Sequence, residues 1–379
     1  MNTTRLILVG GFLGAGKTTL LWEAASRIMK RGNRIGLITN DQAPELVDTA
    51  FLLHKNVKVA EVSGSCFCCN FNGLIDAVNE LKKSARADVI VAEPVGSCTD
   101  LSATIIQPLK SSFKNELVVS PLSVLAEPGR LADILNGGTA GLHPSAAYIY
   151  RKQLEESDII IISKTEQEKS ADLERLTEKV KVTFPDSDVM HISAKTGEGI
   201  DKWLDTVMQR SDAGKRLVDV DYNIYAEGEA VLGWLNATIE ISGKETNWDG
   251  FAEKLLKGLG QDFAEQKAAV GHVKILLETN EKYLTGNFTC KAETIQIRGE
   301  VGLASEACLT LNARVETTPE ELERMVKERL ELETKDHLEM ETVAWKCLSP
   351  GRPEPTFRFD YVVPDDLIPP TLKQGKGKL

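Results

Sequence analysis

Two groups of residues carry chemistry. The stretch "GSCFCC" at 64–69 sets Cys66, Cys68 and Cys69 within four positions, in a chain with seven cysteines. Where thiols stay reduced, cysteines at this density read as a metal site or a redox site, not as disulfides. Three thiolates hold Zn²⁺ at about 2.3 Å and leave a fourth position open for exchange. The soft donor set also suits Co²⁺ or Fe²⁺. The second group is "GFLGAGKT" at 11–18, which fits G-x-x-x-x-G-K-[ST]. Backbone N–H groups of such a turn converge on phosphate at a helix N-terminus. Gly14, Ala15, Gly16, Lys17, Thr18 and Thr19 are the binding residues. Lys17 reaches the β- and γ-phosphates, and the Thr18 hydroxyl takes Mg²⁺.

These residues need elements to hold them. The apolar run "RLILVGG" leads into the glycine-rich turn, and the amphipathic "KTTLLWEAASRIMKRG" follows it. Strands and helices then alternate, as in a largely parallel sheet. The strand "NRIGLITND" ends in Asn40 and Asp41. The strand "DVIVAEPVG" delivers Glu93 to the carboxyl edge, where ligands bind in open α/β sheets. Asp41 and Glu93 are the carboxylates expected to hold Mg²⁺ or orient the attacking water; with Lys17 they form the candidate catalytic set. If "SCFCC" continues the strand at 57–64, Cys66 and Cys68 point to one face and Cys69 to the other. Cys98 becomes a fourth or transient ligand if its loop meets the cluster; otherwise it is small apolar filler, as Cys290, Cys308 and Cys347 are expected to be.

Two further segments favour guanine. In "SDIIIISKTE" (157–166), Ser163, Lys164 and Glu166 occupy the positions of the N-K-x-D base-reading motif. The carboxylate there accepts the two N–H groups that guanine offers and adenine lacks. In "HISAKTGEGIDKWL" (191–204), Ser193, Ala194 and Lys195 match the second base-contacting loop. Serine makes fewer contacts than asparagine and glutamate is one methylene longer than aspartate, so the guanine preference is expected to be looser. Together, "GGFLGAGKTTLL", the C-x-C-C, "E-x-x-G" at 93–96, "QLEESDIIIISKTE" and "KTGEGID" resemble the CobW, UreG and HypB group of metal-handling GTPases, over roughly residues 5–210. The C-x-C-C points to the CobW branch. The resemblance implies GTP hydrolysis coupled to delivery of a metal, or a metallocofactor, to a client metalloenzyme or corrinoid protein. Cys66, Cys68 and Cys69 would bind the metal, and turnover would be slow without a partner. Two departures stand out: Ser65 precedes the first cysteine where the group favours glycine, and the five histidines, His54 and His191 among them, form no ion-storing tract. Two alternatives stay open: a GTPase chaperone that loads or reactivates a corrinoid enzyme, and a non-enzymatic regulator switched by nucleotide or zinc.

The chain has 379 residues and a formal charge of −11. That charge offers no electrostatic footprint for nucleic acid or anionic membrane. The longest apolar runs are too short to span a bilayer, and the N-terminus lacks a signal-peptide pattern, so a cytoplasmic protein is expected. The expected fold is α/β: a P-loop GTPase domain over 1–212 with a mainly parallel sheet, a linker over 213–227, and a smaller α+β domain over 228–365, either ferredoxin-like or two halves of one α+β unit. The tail at 366–379 is expected to be disordered. In the second domain, strand, helix and strand patterns recur twice, Gly258 and Gly260 are weak points in its first helix, and its sheet face or helices bind the client or pack on the GTPase. A homodimer is left open.

Overall fold

The computed structural model describes residues 3–41, 47–49, 57–280, 282–289, 295–335 and 337–365. His54, Cys290 and the tail at 366–379 lie outside the described residues.

The first domain is built on eight parallel strands: β1 (Thr4–Gly11), β2 (Ile35–Asn40), β3 (Lys58–Val62), β4 (Val89–Glu93), β5 (Leu117–Val119), β6 (Ser123–Ala126), β7 (Ile159–Ile162) and β8 (Asp188–His191). Their order is β3-β2-β4-β1-β6-β7-β8, and β5 pairs with the start of β1 where β6 pairs with its end. Pro121, which lacks an N–H, lies between these two short strands. Runs such as "LILV" and "IIII" are apolar at every position because both faces are covered. Alternate residues feed opposite cores. Ile7, Val9, Leu37, Ile159 and Ile161 pack on one side with α1 (Lys17–Lys30). Leu6, Leu8, Ile38, Ile160 and Ile162 pack on the other with α2 (Phe71–Ser84), α3 (Gln107–Ser112), α4 (Pro128–Leu135), α5 (Pro144–Glu156) and α6 (Ser170–Thr183). The helix α7 (Ile200–Gln209) joins α1, and its fully buried Trp203 donates to Ser123 Oγ at 2.9 Å.

Residues 213–227 are not a tether. Ala213, Val218, Val220 and Tyr225 are buried in the nucleotide-domain core. The Asp158 carboxylate accepts the N–H groups of Gly214 and Lys215 at 2.8 and 3.1 Å. The helix α8 (Tyr222–Ala230) packs on α5.

The second domain contains β9 (Gly233–Asn247), α9 (Trp248–Glu265), β10 (Val270–Glu278), β11 (Tyr283–Phe288), β12 (Gln296–Gly299), β13 (Leu303–Val315), α10 (Pro319–Thr334) and β14 (Leu338–Leu348). The antiparallel order is β12-β11-β10-β13-β9-β14. Leaving out the β11–β12 hairpin, this is the βαββαβ ferredoxin-like arrangement the sequence suggests. The hairpin extends the sheet edge; its short, half-buried strands carry no strong period. The helices α9 and α10 bury one sheet face. At Gly258 of α9 a Cβ would lie 2.6 Å from the Arg329 guanidinium, so glycine there lets α10 approach and Arg329 reach Asp262. The opposite sheet face is polar yet buried: Asn236, Asn312 and Arg314 are each about 1% exposed, because the nucleotide domain covers them. Beyond β14, residues 350–365 run back across the first domain as a strap.

Candidate functional site

The glycine-rich turn lies between β1 and α1, as its spacing requires. Gly14 and Gly16 have φ of +79° and +95°, a left-handed backbone that residues with a Cβ rarely adopt. Lys17 Nζ donates to Gly11 O at 2.8 Å and lies 3.6 Å from the Glu93 carboxylate. Burial pushes the lysine down and the carboxyl up, and each opposes the other's shift. The Thr18 hydroxyl donates to Glu93 Oε2 at 3.2 Å. A hydroxyl and a carboxylate this close fit a hard cation, directly or through water, so Mg²⁺ fits the donor set. Arg130 of α4 fixes the turn from the side, donating to Leu13 O at 2.7 Å and to Val270 O of the second domain at 3.4 Å.

A cavity of about 410 Å³ opens in front of this turn. Ser163, Lys164, Glu166, Ala194 and Lys195 line it, so both base-reading segments meet the phosphate turn in one space. Ser193 is not on the wall. It is fully buried, and its Oγ accepts Thr196 N–H at 3.1 Å, shaping the loop that presents its neighbours. The sequence did not anticipate that the second domain forms the far wall, through Trp234, His272, Lys274 and Arg314. Asp41 faces the cavity, and its carboxylate accepts from Arg314 of the second domain at 2.7 Å. Lys274 pairs with Asp48, at 2.8 Å to Oδ1, and Asn312 Oδ1 accepts Val47 N–H at 2.8 Å. The described parts of the chain between β2 and β3 are therefore held by the second domain.

The cysteine stretch departs from the extended strand expected of it. Cys69 N and Asn70 N both donate to Cys66 O, at 3.1 and 2.9 Å, closing a helical turn. All three sulfurs then converge: Cys66–Cys68 at 3.0 Å, Cys66–Cys69 at 3.2 Å and Cys68–Cys69 at 3.8 Å. Asn40 of β2 sets this turn. Its amide donates to Val62 O and Ser65 O, each at 2.8 Å, and its Oδ1 accepts Phe67 N–H at 2.9 Å. Asn70 then caps α2 through Gly73 N–H. The thiols cannot all ionise together in this space. Cys66, which its neighbours' thiols hydrogen-bond, is held well below the ordinary thiol value, while Cys69 is pushed up to about 12, chiefly by Cys66. A cation among them removes that conflict. Among the described residues this is the one group of three or more metal-type side chains whose donor atoms all lie within 4.8 Å. His191 bonds Thr177 at 2.7 Å, and Cys347 donates to Pro319 O; neither joins the cluster.

A phosphate-binding turn and the cavity lined by both candidate base-reading segments define a P-loop nucleotide-binding domain, with a buried group of three thiols at the same sheet edge. Residues 5–191 match the CobW/HypB/UreG nucleotide-binding domain, and this domain of the chain belongs to that family. The chain is similar to zinc-regulated GTPase metalloprotein activator 1 of Dictyostelium discoideum, 31% identical over 124 residues, or 29% of this chain and 24% of the relative. It is also similar to the zinc chaperone YjiA of Escherichia coli, 32% identical over 102 residues, or 25% of this chain and 31% of the relative. The matches span between 24% and 59% of the length of the curated relatives. Among solved structures, HypB from Helicobacter pylori in complex with nickel aligns at TM-score 0.41 and 15% identity, over 58% of this chain and 92% of its own. Among the described residues, no helix is long and apolar enough to cross a membrane.

Proposed function

We propose that the protein hydrolyses GTP and uses the nucleotide state to bind and hand over a thiolate-held transition metal, zinc first and cobalt second, to a client metalloprotein. The supporting observation is that one short strand end serves both sites: Asn40 shapes the cysteine turn, and Asp41 beside it faces the nucleotide cavity. The names of the zinc-linked relatives support the choice of metal.

The chemistry follows from placement. The backbone of Gly14–Thr18 and the Lys17 ammonium bind the β- and γ-phosphates in line with the cavity. Thr18 and Glu93 would hold Mg²⁺, which when bound offsets phosphate charge. Glu93 orients the water that attacks the γ-phosphorus; the bond to the β–γ bridging oxygen breaks, and the water's proton leaves with inorganic phosphate. Glu166 accepts from the guanine edge. The Asp41 and Asp48 contacts with the second domain rearrange around the γ-phosphate and carry its presence to the Cys66 turn.

The test is zinc affinity by chelator competition with GTPγS, with GDP and without nucleotide. A difference of about 5–150-fold between the nucleotide states is expected for coupled sites. Equal affinities would refute the coupling. Multiple-turnover phosphate release above a Lys17→Ala control separates a GTPase from a nucleotide-switched regulator.

A further inference from the structure

We propose that the second domain completes the nucleotide site in cis: His272 and Lys274 of β10 bind the terminal phosphate of the triphosphate, so the site holds GTP in preference to GDP. The inference rests on the proposed GTP-dependent function and assigns residues that none of the nucleotide-binding motifs contains.

The second domain lies against the phosphate turn itself. Arg130 joins the two, donating to Leu13 O at 2.7 Å and to Val270 O at 3.4 Å. A Cβ at Gly271 would lie 2.9 Å from Leu13 Cδ1, and one at Gly14 would collide with the Thr289 methyl. Gly271 is also the extra residue of a β-bulge: Val270 pairs with Val315, and His272 with the adjacent Arg314. Bulges re-aim side chains. This one leaves Val270 in the helix-covered core with Val273, Ile275 and Leu277, and turns His272 and Lys274 to the opposite face. Both then line the cavity in front of the turn. They do so on its terminal-phosphate side. Glu166 and Lys195, from the base-reading segments, follow β7 and β8 on one flank of β1. Lys274 Nζ donates to Asp48 Oδ1 at 2.8 Å, in chain that follows β2 on the other flank.

His272 is 8% exposed, and its Nδ1 is buried with no hydrogen-bond partner among the described residues. Buried ring nitrogens ordinarily have a partner, and leaving one unpaired costs stability. The groups that share this face and the cavity are cationic. Arg314 stands directly opposite on β13, Lys274 is two residues along, and Lys17 lies across the cavity. Burial, and then these charges, hold the imidazole well below its ordinary value, so it is neutral and carries a single N–H. Phosphate oxygens only accept, which makes that N–H the group to meet one. The Lys274 ammonium has three donors and can reach a phosphate oxygen while keeping Asp48. Lys17 from the turn and Lys274 from the second domain then flank one phosphoryl group, and such cations stabilise the charge that moves during its transfer. GDP carries no such phosphoryl group, so these contacts separate triphosphate from diphosphate.

The experiment measures the affinity of the full-length protein for GTPγS and for GDP, each with Mg²⁺, by competition against a fluorescent guanine nucleotide. His272→Leu fills the space without an N–H, and His272→Gln keeps one. His272→Leu should weaken GTPγS about tenfold, the worth of one hydrogen bond to a charged group, and leave GDP unchanged. His272→Gln should restore most of that loss, and Lys274→Gln should repeat the selective loss. Equal loss for both nucleotides, or no change for either, would overturn the assignment. In wild type, amide hydrogen exchange over 270–278 should slow with GTPγS and not with GDP. Equal protection by both would also overturn it, and that measurement needs no variant to fold. Wild-type protein that binds neither nucleotide would instead overturn the proposed function.

Discussion

Truncating Arg314 to alanine should open the contact between the two domains, and its cost can be worked from the surroundings. Arg314 is about 1% exposed. Its guanidinium lies 4.3 Å over the Trp234 ring, donates to Leu235 O and Ala313 O, and pairs with Asp41 at 2.7 Å. Removing one member of a buried pair leaves the other's charge uncompensated, at about 3–5 kcal/mol. Asp41 borders the cavity, where water can partly replace the lost partner, so the lower end, about 3 kcal/mol, is expected. The assay is a double-mutant cycle in urea with Asp41→Asn, read as shifts in midpoint at constant slope and followed by tryptophan fluorescence. In the Asp41→Asn background, Arg314→Ala should cost under about 1 kcal/mol, a coupling of about 2 kcal/mol. If Arg314→Ala costs the same in both backgrounds, its role is packing on Trp234 and the strand carbonyls, and the electrostatic contact between domains is wrong.

Lys17→Ala removes charged hydrogen bonds to phosphate worth about 3 kcal/mol, so GTP affinity by fluorescent-analogue titration should fall about 100-fold. Glu156 is fully buried, and burial raises its carboxyl to about 8 from an ordinary 4.5. The folded state therefore holds this proton more tightly than the unfolded chain. Its contribution is complete below about 4.5 and is lost as pH rises through about 8, with a ceiling of about 5 kcal/mol. Glu156→Gln should flatten the fall in urea midpoint between pH 5 and pH 8 relative to wild type; parallel curves would refute the assignment. Arg358 bonds the buried Asp100 carboxylate at 2.7 Å but is itself over a third exposed, so solvent screening discounts the pair to about 1 kcal/mol. Arg358→Ala should loosen the strap and speed the reaction of Cys69 with a disulfide reagent about fivefold.

The phosphate turn was legible because its chemistry needs consecutive residues: Gly14, Gly16, Lys17 and Thr18 act through local backbone geometry. Glu93 was legible for a related reason, since a buried strand delivers it to a predictable edge. The thiols were legible as a density but not as a shape. Their turn depends on Asn40, from a strand 27 positions before Phe67, and no local period encodes that bond. Residues 213–227 read as a linker because irregular chain has no period, yet the Asp158 carboxylate and the apolar pocket for Tyr225 hold them firmly. The Asp41–Arg314 pair spans 273 positions, and polar residues alternating along β13 look like any solvent-facing strand until the nucleotide domain covers them.

That hidden contact bears on how the two sites communicate. Asn40 and Asp41 are consecutive, so the end of β2 cannot shift for one without shifting the other. Asn40 makes three hydrogen bonds to the end of β3 and the cysteine turn, and Asp41 bonds the second domain. On the nucleotide side, Glu93 bonds Lys17 and Thr18. One short, hydrogen-bonded connection, the end of β2, thus runs between the nucleotide cavity and the sulfurs of Cys66, Cys68 and Cys69. A stiff link transmits a displacement of a few tenths of an ångström where a flexible one would absorb it, because packed interiors switch between arrangements rather than deform smoothly. A change at the γ-phosphate therefore has a direct mechanical route to the spacing of the thiols. Thiolate affinity for a tetrahedral ion is sensitive to that spacing, so under the proposed function the turn at Cys66, beneath its strap, is the element whose opening would release the metal.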